Sequence, residues 1–145
     1  MMLFFIDCES GGAQSPSVGD MTEFGAVTFI HDRVLSFHGK GCGKTVFGNF
    51  KHWIEEMAGD EPAVFVSDNP AFDWQWINFY FHKYFGENPF GHSARRIGDY
   101  YAGLVGDFGK ASNWKKLRKT KHDHNPVNDA TGNMEAFFRM QSGER

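Results

Sequence analysis

Apolar residues run unbroken from Leu3 to Ile6 and stop at Asp7-Cys8-Glu9. Leu3 to Glu9 reads as a strand that ends in two acids. Thr22 to Ile30 alternates and contains Val27, Thr28 and Phe29, and Val34-Leu35-Ser36-Phe37 follows a polar His31-Asp32-Arg33 turn. These two stretches predict a meander. Glycines at positions 39, 41 and 43 then break the periodicity. From Phe47 to Met57 the period becomes helical, with Phe50, Trp53, Ile54 and Met57 on one stripe. Ala63-Val64-Phe65-Val66, bounded by Pro62 and by Ser67-Asp68-Asn69-Pro70, predicts one more buried strand. A helix follows from about Ala71 to Phe85, carrying Trp74, Ile77, Phe81 and Tyr84 at helical spacing. Ser93 to Val105 predicts another helix, with Ser93 as its cap. In the last helix Asn125 caps, Pro126 opens, and Val127, Ala130, Met134 and Phe137 face inward. Early strands, then helices around one further strand, predict an α/β sandwich on a mixed sheet.

The length, 145 residues, fits a single domain over 1–145. No apolar stretch is long enough to span a bilayer, and Met1–Ile6 is too short for a signal peptide. The expected compartment is the cytoplasm, with Cys8 and Cys42 reduced. Net charge is −3, yet Lys110 to Lys121 holds six of the 15 basic residues and no acid. In an acidic chain, one cationic segment placed just before His124 fits a polyanion partner, with Lys115, Lys116, Arg118 and Lys119 as the expected phosphate contacts. The alternative is a solvated face. The aromatics around Trp74, Trp76, Phe79 and Tyr80 are expected mostly in the core, but Trp76 and Tyr80 lie off the apolar stripe of their helix, which leaves base stacking or a dimer face as alternatives for these two.

The chemistry-bearing positions are acidic. Strand alternation places Asp7 and Glu9 on the same face, with backbone positions roughly 6–7 Å apart. Bringing acids together at a strand end is costly unless a positive group lies between them. Asp73 falls in the first turn of its helix, where the dipole favours a carboxylate. His124 and Asp129 are separated by four residues across Pro126, which places the histidine on a loop. His122 is a second histidine beside it, and the pair suggests a zinc site only if a third ligand joins. Gly39-Lys40-Gly41-Cys42-Gly43-Lys44-Thr45 is not a phosphate-binding P-loop, because His38 stands where that pattern needs glycine.

Asp7-x-Glu9, Phe72-Asp73 and His124-x4-Asp129, in this order, resemble the DEDDh 3′–5′ exonuclease superfamily. Glu23-Phe24-Gly25-Ala26-Val27 resembles that family's second strand, and Ser67 to Asp73 and His124 to Ala130 resemble its later motifs. One departure is Asp68, where many members have histidine.

The resemblance implies a ribonuclease-H-like fold with a central five-stranded mixed sheet. It implies two ions, Mg²⁺ or Mn²⁺, held by Asp7, Glu9, Asp73 and Asp129, with Asp7 shared between them. Hard oxygen ligands without thiolates suit those cations. By the same resemblance His124 is the general base, a role that suits an imidazole. The implied activity is release of nucleoside monophosphates from single-stranded RNA or DNA 3′ ends, and a homodimer is among the arrangements it allows. With no polymerase-tethering region, RNA or short oligonucleotides are expected ahead of DNA. A catalytically silent nucleic-acid-binding module and a small-molecule phosphoesterase are the rival classes.

Overall fold

The computed structural model describes residues 1–145. Five strands, β1 (Met2–Glu9), β2 (Glu23–Ile30), β3 (Arg33–Lys40), β4 (Ala63–Ser67) and β5 (Ala94–Arg96), form one sheet in the order β3-β2-β1-β4-β5. β1 to β3 are an antiparallel meander, while β4 and β5 join in parallel. Four helices flank the sheet: α1 (Lys44–Ala58), α2 (Pro70–Phe85), α3 (Ile97–Val105) and α4 (Pro126–Gln141). This mixed five-stranded α/β arrangement is consistent with a ribonuclease-H-like fold.

β1 is central, and its alternation builds two cores. Phe4, Ile6 and Cys8 face α1 and α2 with Phe24, Phe47, Phe50 and Phe81. Phe5 faces α3 and α4 with Val27, Val66, Ile97, Trp114 and Met134. The phenylalanine surplus is thereby used up in tight aromatic packing, such as Phe24 against Phe50 at 4.8 Å between ring centroids. Asp7 and Glu9 continue the Phe5 face past the edge of the apolar layer.

One expectation is corrected. The helix predicted from Ser93 is preceded by a strand: Ala94, Arg95 and Arg96 pair with Phe65, Val66 and Ser67, and α3 starts at Ile97. Ladder hydrogen bonds to β4 outweigh local helix propensity in this three-residue segment, and its Ala-Arg-Arg sequence carries no strand pattern. For Trp76 and Tyr80 the core reading holds and the surface alternatives fall, since they are 0% and 1% exposed. The β1–β2 connection folds over α2, and the Tyr80 hydroxyl donates to Asp20 Oδ1 (2.9 Å) while the Met21 amide donates to that hydroxyl (3.3 Å). α2 therefore has two covered sides, and neither ring is available to a base or a second subunit. The exposed ring on this helix is Phe79.

The cationic segment is two short 3-10 turns, Phe108–Lys110 and Asn113–Leu117, anchored by buried Trp114 and Leu117. No helix is long and apolar enough to cross a membrane. Both cysteines are free.

Candidate metal centre

Three elements bring the predicted acids together at one end of β1. Asp7 and Glu9 project from the strand, and Asp129 comes from the first turn of α4. One carboxylate oxygen from each lies within 4.8 Å of the others. Asp129 is 1% exposed, whereas Asp7 and Glu9 are half-buried.

Gly25 makes the approach of α4 possible. It pairs with Asp7 across β1 and β2, and a Cβ there would come within 2.4 Å of Pro126 C and Val127 N. Only a residue without a side chain lets the start of α4 lie directly on the sheet. Asn125 fixes that start by accepting from the Val127 and Asn128 amides at 3.0 and 3.3 Å.

Asp73 enters from the other side. It lies in the first turn of α2, 4% exposed, and its Oδ1 accepts from the Cys8 amide (2.9 Å). That bond ties α2 to the strand between the two β1 acids. Asp73 stands outside the tight three-carboxylate grouping, but its charge still acts on Asp7.

The electrostatics are strained in one direction. Burial, followed by the charges of Asp73, Asp129 and Glu9, pushes the Asp7 carboxyl up to about 9. Burial likewise raises Asp73 to about 7, against the opposing pull of the Cys8 amide. Glu9 is raised too, chiefly by burial, with His124 pulling the other way. Asp7 Oδ2 and Asp129 Oδ2 are buried with no hydrogen-bond partner. Orphaned buried oxygens on mutually repelling acids are costly, and a divalent cation among them removes both costs. The donor set, all oxygen and no thiolate, fits a hard cation.

His124 sits on the loop before α4, as predicted. Its φ is 62°, a left-handed conformation uncommon outside glycine. The ring is 76% exposed, with Nδ1 3.9 Å from Glu9 Oε1. Asp123 holds the loop: its amide donates to Asp129 Oδ1 (3.2 Å), and its carboxylate accepts from the Asn125 amide and from Asn128 Nδ2. The neighbouring His122 has Nδ1 2.9 Å from Asp129 Oδ2. That contact is close but not aligned as a hydrogen bond, since the same oxygen has no hydrogen-bond partner.

The four basic residues singled out divide into two pairs. Lys115 Nζ pairs with Asp68 Oδ2 at 2.8 Å, with Arg118 3.9 Å from the same oxygen. Arg118 also stacks 4.9 Å above the Trp114 ring, donates to Asn133 and is only 13% exposed. Its positive charge lowers Asp7, so it serves the carboxylate cluster from within. Lys116 and Lys119 are exposed. Sequence reasoning missed the Asp68 link, although Asp68 was noted as the one departure from the resembling family's pattern.

No protein-family model matches the chain. The chain is similar to the 3′–5′ DNA exonuclease Cap18 of Escherichia coli, at 38% identity over 94 residues. The match covers 61% of this chain and 50% of that protein, so the chain spans about half the length of the curated relative it matches.

Proposed function

We propose that this chain is a metal-dependent 3′–5′ exonuclease that releases nucleoside monophosphates from single-stranded ends. The observation that carries this is the convergence of Asp7, Glu9 and Asp129 with buried oxygens that lack partners. Mg²⁺ or Mn²⁺ fits that donor set. Asp7, Glu9 and Asp129 would hold the ions, and Asp73, tied to the Cys8 amide beside them, would add its negative charge to the set. When bound, two such ions stabilise the attacking and leaving oxygens of an in-line phosphoryl displacement.

The chain's own residues supply the rest. His124 takes the proton of the attacking water on an imidazole nitrogen. The water oxygen bonds to phosphorus, the bond to the 3′ oxygen breaks, and that oxygen takes a proton from solvent, so the shortened strand leaves with a free 3′ hydroxyl. The exposed ring and its loop position give His124 access to a water and to the substrate end. Lys116 and Lys119 attract the strand by charge.

Similarity to a protein named as a 3′–5′ DNA exonuclease supports this class of reaction. Its name also weighs the choice of polymer toward DNA, against the RNA expected from sequence. A silent binding module would not need the full set of acids plus His124, and a small-molecule phosphoesterase would not need the cationic segment.

The test is incubation with 5′-labelled single-stranded DNA and RNA in Mg²⁺, Mn²⁺ or EDTA. A ladder shortening from the 3′ end, absent in EDTA, is the expected result. Intact strands with both ions would overturn the proposal.

A further inference from the structure

Asp129 belongs to two groupings of metal-ligating side chains. One is the carboxylate set with Asp7 and Glu9; the other is His122, His124 and Asp129, whose ligand atoms also lie within 4.8 Å of one another. The two differ in chemistry. Oxygen-only donors suit hard ions, whereas two imidazoles and a carboxylate suit a borderline ion such as Zn²⁺.

We propose that His122, His124 and Asp129 form a zinc site that competes with the magnesium or manganese centre and switches the enzyme off. The inference rests on the exonuclease reading for its consequence, though not for the binding itself. Three observations support it. Asp129 Oδ2 is buried, lacks a hydrogen-bond partner and faces His122 Nδ1 at 2.9 Å. The two imidazoles stand edge to face at 4.4 Å between ring centroids, so their nitrogens can converge on one point. Both rings are exposed, at 48% and 76%, which leaves an open path for the ion and a free position for water. Tetrahedral zinc with bonds of about 2.0–2.1 Å sets its ligand atoms about 3.3 Å apart, within reach of modest rotation by two exposed rings.

The consequence follows from shared residues. An ion held by this triad takes Asp129 from the carboxylate set and takes the nitrogen that His124 needs for proton removal. Imidazole sites bind zinc far more strongly than they bind magnesium or manganese, so a small amount of zinc competes with a large excess of either.

The test is Zn²⁺ binding to the metal-free full chain, read by competition with a chromophoric zinc indicator and with no nucleic acid present. Wild type and Asp7→Asn are expected to bind Zn²⁺ alike, whereas His122→Ala and His124→Ala lose about tenfold or more in affinity. Mn²⁺ binding should show the opposite pattern, lost in Asp7→Asn and kept in His122→Ala. In Mg²⁺ reactions, each normalised to its own zinc-free rate, inhibition of His122→Ala should need about tenfold more Zn²⁺ than inhibition of wild type. Equal Zn²⁺ affinity in wild type and His122→Ala overturns the proposal. So does zinc binding that disappears in Asp7→Asn but survives in His122→Ala, since that places the ion on the carboxylates. Failure of the zinc site with strand shortening intact would sink this inference alone. Absence of strand shortening with the zinc pattern intact would sink the exonuclease reading and leave the site standing.

Discussion

The end of β1 and the loop before α4 meet at Asp129 but are built by opposite means. Asp7 is held on a central strand whose preceding residues, Phe4, Phe5 and Ile6, are 0% exposed, and Asp129 and Asp73 are themselves buried. His122 and His124 sit on a loop secured by the Asp123 side chain, with a left-handed backbone at His124. The first region is fixed by packing and keeps repelling acids close. The second is fixed by a few local hydrogen bonds and leaves its rings in solvent. A cation site needs preorganisation, because its geometry must exist before the ion arrives. A proton acceptor needs access, so it belongs on the exposed side.

The comparison breaks most visibly if one residue is taken from each side. Asp7→Asn is expected to remove Mn²⁺ binding and nuclease activity together, because it deletes the acid that the proposed site places among all the others. His124→Ala should leave Mn²⁺ binding nearly intact and lower turnover by about 10²–10⁴, the usual contribution of a general base. Calorimetric Mn²⁺ titration beside single-turnover kinetics separates the two. If His124→Ala also lost Mn²⁺, the division between a holding side and a proton-handling side would be wrong.

How much of this was legible in the sequence follows the same division. Local rules that survive folding place Asp7 and Glu9 on one strand face and Asp73 and Asp129 in first helical turns, but that these acids gather in one site was implied only by the resemblance to the DEDDh exonucleases. The strands of the meander and the start of α4 were visible for the same reason. What could not be read depended on tertiary partners. β5 exists because β4 offers it a ladder. Trp76 and Tyr80 are buried because a distant connection, through Asp20 and Met21, covers them. No third ligand for the His122 and His124 pair was visible in the sequence, whereas the loop turns the His122 ring to within 2.9 Å of Asp129 Oδ2. The pairing of Lys115 with Asp68 crosses from one motif to another. Periodicity carries no information about any of these.

Gly25 tests whether the packed side truly sets the site. Gly25→Ala places a Cβ against backbone atoms of Pro126 and Val127, which cannot rotate away as a side-chain tip can. Overpacking of this kind costs about 1–3 kcal/mol. The strain is relieved by lifting α4, and Asp129 moves with it. Activity should therefore fall by more than the loss of folded protein explains. Gly43→Ala, where an added Cβ has open space, is the control. Chemical denaturation with activity measured on the folded fraction checks it, and parallel losses in the two readouts would mean that Gly25 serves stability alone.

The buried acids also predict how the metal-free chain responds to pH. Burial raises Asp7 from 3.8 to about 9 in the folded state, so between those values the folded chain holds a proton that the unfolded chain releases. Stability from this group is present at low pH and is lost as pH rises toward about 9. In EDTA, the Tm of wild type should fall from pH 5 to pH 9 more steeply than that of Asp7→Asn, by a few degrees over the range. Mn²⁺ should flatten the wild-type slope, because a bound cation takes over the neutralising role of the proton. Equal slopes for wild type and Asp7→Asn would show that Asp7 is not the strained group.

The smallest expected effect separates the two lysine pairs. Lys115 is engaged by Asp68, and Arg118 is largely internal, so little of their charge is left for a strand. Lys116 and Lys119 are exposed on the same segment and free to meet phosphates. Replacing both with Ala should weaken oligonucleotide binding several-fold and leave Mn²⁺ affinity unchanged. Single strands release counterions with a slope of about −0.7 per neutralised phosphate, so the double variant should flatten the plot of log affinity against log salt by about 1.4. Lys115→Ala should act otherwise, since it frees Asp68, an acid, beside the path of a polyanion. Its cost should therefore reflect the uncovered carboxylate as well as the missing ammonium, and Asp68→Asn in the same background should recover part of the binding. If the Lys116 and Lys119 pair left the salt slope unchanged, the segment would be a solvated face, and the strand would reach His124 by another route.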